Sequence, residues 1–126
     1  MSLVISLHES RRARAPVSGT FLLHERVSLH RELLLDLAGK YIWWQSAEDA
    51  MDFPRRVIAQ VMNLGVFADV GRLADALGDD CLREVLEHAE AGQFNARSWH
   101  YWHYRLGMAT VGQVPPLPTR HIPGTL

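Results

Sequence analysis

The sequence predicts an all-α protein: a compact bundle of five or six short helices, with an irregular N-terminal segment and an extended, proline-rich C-terminal tail. Three observations carry this reading. Four consecutive segments repeat apolar residues at helical spacing, a glycine follows each stripe, and the connectors between them are only a few residues long. Short connectors set successive helices side by side. At 126 residues the chain suits one domain that buries roughly two-thirds of its unfolded surface without a metal or a disulfide. We divide it into an N-terminal segment (1–27), a helical domain (28–108) and a tail (109–126).

Residues 1–27 hold a basic cluster, Arg11, Arg12 and Arg14, and a Pro-Val-Ser-Gly turn signal at 16–19. The run Phe21 to Val27 reads as a short strand or as a segment lying on the domain. Leu29, Leu33, Leu34 and Leu37 then give a helix over 29–38, broken at Gly39. Tyr41-Ile-Trp-Trp follows, and Ser46-Ala-Glu-Asp resembles a capping box that starts a helical turn through Met51. Asp52 or Phe53 caps the next helix, with Pro54 in its first turn, where the missing N–H costs nothing. Its stripe is Phe53, Val57, Ile58 and Val61, and Gly65 stops it. Val70, Leu73, Ala74 and Leu77 lead to Gly78. Leu82, Val85, Leu86 and Ala89, started by Asp79 or Asp80, lead to Gly92. Beyond the stripe the segments differ, so they are not an internal repeat.

The last helix is expected to be central. Asn95 caps it, Gly107 closes it, and Trp99, Trp102, His103 and Leu106 form its inward stripe. Two tryptophans on one short helix bring more apolar area than any other segment, so the other helices should pack around them. After Met108 the chain carries four of its six prolines in its last dozen residues, which predicts an extended tail.

Thirteen Lys and Arg against fourteen Asp and Glu give a formal net charge of -1, so no global field draws the chain to nucleic acid. The single Cys81 has no intramolecular partner, which suits a reducing compartment. No secretory signal and no apolar run long enough to span a bilayer is evident, so a soluble, cytoplasmic protein is expected.

Few patterns suggest chemistry. His100 and His103 are three apart on the last helix, with His88 or His121 as further ligands, but no Cys-x-x-Cys or His-Glu-x-x-His accompanies them. A core histidine is the commoner outcome for His103, and no metal or cofactor is expected. Residues 70–86 look superficially like a helix-turn-helix. However, Asp79, Asp80, Glu84, Glu87 and Glu90 against Arg83 alone would repel DNA. There is no phosphate loop, no nucleophile elbow and no base beside Cys81, and Glu48, Asp49 and Asp52 suit helix starts, so no catalytic residue is expected.

What remains is side-chain chemistry suited to a protein partner. Tyr101, Tyr104 and Arg105 lie off the stripe of the last helix, and Trp43 and Trp44 are adjacent in sequence, so both cannot point the same way. Tyr, Trp and Arg are enriched in interface hot spots. Packing beneath the N-terminal segment and the tail would use the same rings, and sequence leaves both readings open. Glu84 and Glu87 are the acidic candidates for meeting a basic cleft on the partner.

The blocks Tyr41-Ile-Trp-Trp, Pro54-Arg-Arg-Val-Ile-Ala-Gln-Val-Met-Asn-Leu-Gly, Leu82-Arg-Glu-Val-Leu and Ser98-Trp-His-Tyr-Trp-His-Tyr-Arg-Leu-Gly follow one another from Tyr41 to the last helix, and the stretch from Tyr41 to Leu106 that they mark out is a little over half the chain. Their order resembles a family of small bacterial helical proteins often encoded beside AbiEii-type nucleotidyltransferase-like toxins. None of the blocks is a catalytic signature. The resemblance implies an antitoxin or accessory subunit that binds and neutralises such a toxin. The alternatives that remain are a DNA-binding regulator, possibly autoregulatory, and a small metal-binding helical protein.

Overall fold

The computed structural model describes residues 19–120, and among them there are six helices and no strand. In chain order they are α1 (Gly19–Leu29), α2 (Arg31–Tyr41), α3 (Ala47–Ala50), α4 (Pro54–Leu64), α5 (Phe67–Glu87) and α6 (Ala96–Arg105). α5 lies against α1 and α4, α4 also meets α2 and α6, and α3 bridges α2 and α4. The stripes converge in one core, where Leu34, Leu37, Ile58, Leu73, Leu77 and Leu82 are fully buried. No helix among the described residues is long and apolar enough to cross a membrane.

Three boundaries differ from expectation. Phe21 to Val27 is neither strand nor irregular but part of α1, and the expected domain start at 28 falls inside that helix. Leu23 and Val27, one turn apart, are buried, and Arg26 donates to the Leu77 carbonyl, so contacts with α5 hold a segment whose own pattern is weak. Residues 1–18, with the arginine cluster, lie outside the described residues.

The second difference is at Gly39, which lies inside α2 and does not end it, while Leu29 is exposed at the end of α1. A helical glycine costs only about 1 kcal/mol, and Lys40 and Tyr41 beyond it are both anchored to Asp69. Third, α5 ends at Glu87, short of Gly92. The Gln93 side chain accepts from the Glu90 N–H at 2.9 Å and the Gln93 N–H returns to the Glu90 carbonyl at 3.1 Å, a local turn that competes with the helix.

Gly78 breaks α5 as its sequence suggests. Its φ of 83° and ψ of 160° suit only glycine, and an added Cβ would come within 2.9 Å of the Arg26 guanidinium. The caps also agree with the sequence. Ser46 accepts from the Asp49 N–H at 3.0 Å, Pro54 opens α4 after Phe53, and Asn95 accepts from the Ser98 N–H at 2.8 Å.

α6 seals the core. Trp99, Trp102, His103 and Leu106 are all buried, as their spacing requires. The helix closes with a Schellman pair, Met108 N–H to the His103 carbonyl at 2.9 Å and Gly107 N–H to the Tyr104 carbonyl at 3.1 Å, with Gly107 at φ 70°. Its side chains also serve the end of α4, where the last carbonyls have no partner within the helix. The Trp102 indole donates to the Met62 carbonyl at 2.8 Å, and the Ser98 hydroxyl to the Asn63 carbonyl at 3.0 Å. Beyond Met108 the described tail has no helix, and Val114 and Leu117 pack partly buried on the core.

Trp102→Ala should therefore cost roughly 3–5 kcal/mol, the range for emptying a buried aromatic site, whereas exposed Trp43→Ala should stay within about 0.5 kcal/mol of wild type. Urea melts of the two variants check the contrast.

Candidate protein-interaction surface

The adjacent tryptophans are held out by a polar clasp. The Tyr41 hydroxyl at the end of α2 donates to Asp69 at 2.7 Å and accepts from the Val66 N–H at 3.0 Å, while Lys40 reaches Asp69 at 2.6 Å. Arg72 adds a 3.2 Å bond to Asp69 and a 3.1 Å bond to Asp36. Asp69 is buried, yet the Lys40 bond and then the Tyr41 bond outweigh burial and lower its pKa to about 2. The clasp fixes the end of α2 beside the turn between α4 and α5.

Two apolar groups emerge from that junction. Ile42 turns into the core, whereas Trp43 is 79% and Trp44 56% exposed, packed edge to face with ring centres 5.3 Å apart. On the α4–α5 turn Leu64, Val66 and Phe67 are exposed, Phe67 at 92%. Gly65 lets this turn close tightly, since an added Cβ would come within 2.5 Å of the Val61 carbonyl oxygen. α6 comes to the same turn from its other side, through Trp102 on Met62 and Ser98 on Asn63.

On the outer face of α6, Tyr101 and Tyr104 are exposed. Arg105 donates to the Tyr101 hydroxyl at 3.1 Å, and its guanidinium lies 4.8 Å from the Trp102 ring centre, which restrains the long side chain. Trp43, Trp44, Tyr101, Tyr104 and Arg105 are thus all at the surface, as an interface reading of the sequence requires. Leu64, Val66 and Phe67 escaped that reading because they lie at the facing ends of α4 and α5, where apolar residues at helical spacing run out past the core. Their one signal is a run of apolar residues flanking a helix-ending glycine.

Glu84 is a correction. It is only 3% exposed and ion-paired with Arg55, whose Nε lies 3.1 Å from its carboxylate, with the His88 ring also 3.1 Å away. It faces inward because the stripe of α5 resumes after Gly78 with Cys81, Leu82 and Val85 around it, and Arg55 from α4 supplies the counter-charge. An acidic face on this part of α5 therefore rests on Asp79, Asp80 and Glu87, which are exposed.

The other chemical candidates are engaged in the structure. The Nδ1 atoms of His100 and His103 each lie 2.8 Å from the carbonyl four residues back, His103 in the core and His100 at the surface. No group of three or more His, Cys, Asp or Glu among the described residues is placed to hold a metal ion, and His121 lies outside them. Burial pushes the Cys81 thiol up to about 11, so it offers no thiolate at neutral pH. A depression of about 300 Å³ beside the start of α4 is lined by His24, Arg55, Arg56, His88 and Glu90, where Arg56 meets Glu90 at 3.4 Å.

Comparison with models of known families, with curated proteins and with solved structures finds no match to this chain.

Two outcomes test this geometry. Because the Asp69 pKa is lowered in the fold, its contribution to stability is full above the unfolded value near 3.8 and is lost as pH falls toward about 2. Asp69→Asn should therefore flatten the acid limb of a stability–pH profile across that window and leave its shape above pH 5 unchanged. Arg55→Ala removes the arginine counter-charge of a buried carboxylate that keeps the His88 ring beside it, and should cost about 3 kcal/mol, the lower end for breaking a buried pair, because Arg55 itself is partly solvated. Glu87→Lys should stay within about 0.5 kcal/mol of wild type, and chemical denaturation distinguishes the two.

Proposed function

We propose that the chain is a non-enzymatic protein-binding module, an antitoxin or accessory subunit whose partner is a nucleotidyltransferase-like toxin. The observation that carries the binding role is the exposure of Trp43, Trp44 and Phe67 around a rigidly held junction. Side chains of this size, left out of a core that already contains Trp99 and Trp102, supply the aromatic anchors that dominate protein interfaces. The clasp at Asp69 orders the end of α2 before any partner arrives, which lowers the entropy cost of association. The choice of partner rests on the resemblance of residues 41–106 to proteins encoded beside AbiEii-type toxins.

The test is co-purification of the tagged chain, and of Trp43→Ala/Trp44→Ala and Phe67→Ala variants, from its native host, with a growth assay against a co-expressed neighbouring nucleotidyltransferase. Wild type should retain the enzyme and rescue growth. Each variant should stay folded yet lose binding by at least tenfold, since anchor truncations of this kind cost about 2 kcal/mol or more. Rescue by the variants equal to wild type would remove this surface, and no nucleotidyltransferase bound by wild type would remove this partner.

A further inference from the structure

The tail supplies a second recognition feature that is independent of the aromatic junction. Trp99 on α6 donates its indole N–H to the carbonyl of Pro115 at 2.8 Å. The ring stands in an aromatic wall, 4.3 Å from the His103 ring and 5.7 Å from the Phe94 ring, centre to centre. The segment bound there reads Val114-Pro-Pro-Leu-Pro118, with Val114 and Leu117 partly buried and Pro115 and Pro116 exposed. A proline-rich strand whose carbonyl meets a tryptophan N–H across an aromatic wall is the arrangement by which aromatic-lined grooves take proline-rich peptides. Such a segment keeps an extended form without internal hydrogen bonds, so its carbonyls stay available to an outside donor and little freedom is lost on docking.

We infer that the Trp99 face is a binding site for proline-rich segments, occupied here by the chain's own tail and able to exchange it for a segment of the same chemistry from a partner. The attachment is light. Among the described residues, the tail beyond the turn closed by Gln113 N–H to the Thr110 carbonyl is held by the Trp99 bond and three half-buried apolar side chains, Val114, Leu117 and Pro118. Elements with so few buried contacts open locally at far lower cost than the core. What keeps the tail in place is its tether to α6, which gives it an effective concentration of millimolar order. A free peptide making the same contacts must overcome that concentration, and loosening the tail removes the competition.

The test uses the full chain and a fluorescein-labelled peptide of residues 111–120, Val-Gly-Gln-Val-Pro-Pro-Leu-Pro-Thr-Arg. In a Val114→Ser/Leu117→Ser chain, shown folded by circular dichroism, fluorescence anisotropy should report binding at least tenfold tighter than to wild type. A peptide with its three prolines replaced by alanine should bind at least tenfold more weakly to the loosened chain, and adding Trp99→Phe, which keeps an aromatic ring but removes the N–H, should cost a similar factor. Light scattering tests the occupant: a monomer that binds the peptide supports a proline-rich segment of a different protein, and a dimer that the peptide dissociates overturns that assignment in favour of a second copy's tail. Equal affinity of the loosened and wild-type chains, or equal binding of the alanine peptide, overturns the inference.

Discussion

The structure depends on how the open end of α4 is closed. A helix leaves its last carbonyls without partners, and burying them bare costs as much as several good contacts return. Here Val61 receives the Gly65 N–H, Met62 the Trp102 indole and Asn63 the Ser98 hydroxyl. Two of these donors belong to α6, which at the same time lays Trp99, Trp102 and Leu106 into the core. Polar satisfaction and apolar burial are thus provided by the same ten-residue helix, so α6 cannot move off α4 without losing both.

Other helix ends are treated alike. Arg26 meets the Leu77 carbonyl beside the Gly78 break, Arg83 meets the Leu106 carbonyl at 2.9 Å, and the Tyr41 hydroxyl takes the Val66 N–H. Each clasp joins residues distant in the chain and fixes a helix end or the break within α5. The turn so fixed at 64–67 projects Leu64, Val66 and Phe67 into solvent beside the segment that carries Trp43 and Trp44. The stiffness that these clasps confer is what turns a set of exposed apolar side chains into a defined surface, and the binding role we propose follows from it.

Local physics made much of this legible in the sequence. The spacing of Trp99, Trp102, His103 and Leu106 gave their burial, Ser46 and Asn95 announced their helices, and Gly78 marked its break. What escaped was decided by contacts across the chain. α1 is held by α5 and Arg26 more than by its own pattern. Gly39 stays helical because Lys40 and Tyr41 reach Asp69, and Glu84 is interior because Arg55 from another helix neutralises it. A charge on an amphipathic helix reads as solvated until its partner is known. The apolar corner at 64–67 went unnoticed because periodicity finds faces that turn inward and is silent on turns.

The four tryptophans occupy three different environments, so exchange of their indole N–H protons with solvent deuterium, followed by NMR, tests the account most directly. Trp102, bonded to Met62 inside the core, should exchange only with global unfolding, at a rate that tracks the measured stability. Trp99 should exchange sooner, through release of the tail alone, and Trp43 and Trp44 should exchange at once. A Trp102 proton lost as rapidly as that of Trp43 would mean that α6 does not seal the end of α4, and the packing described here would be wrong.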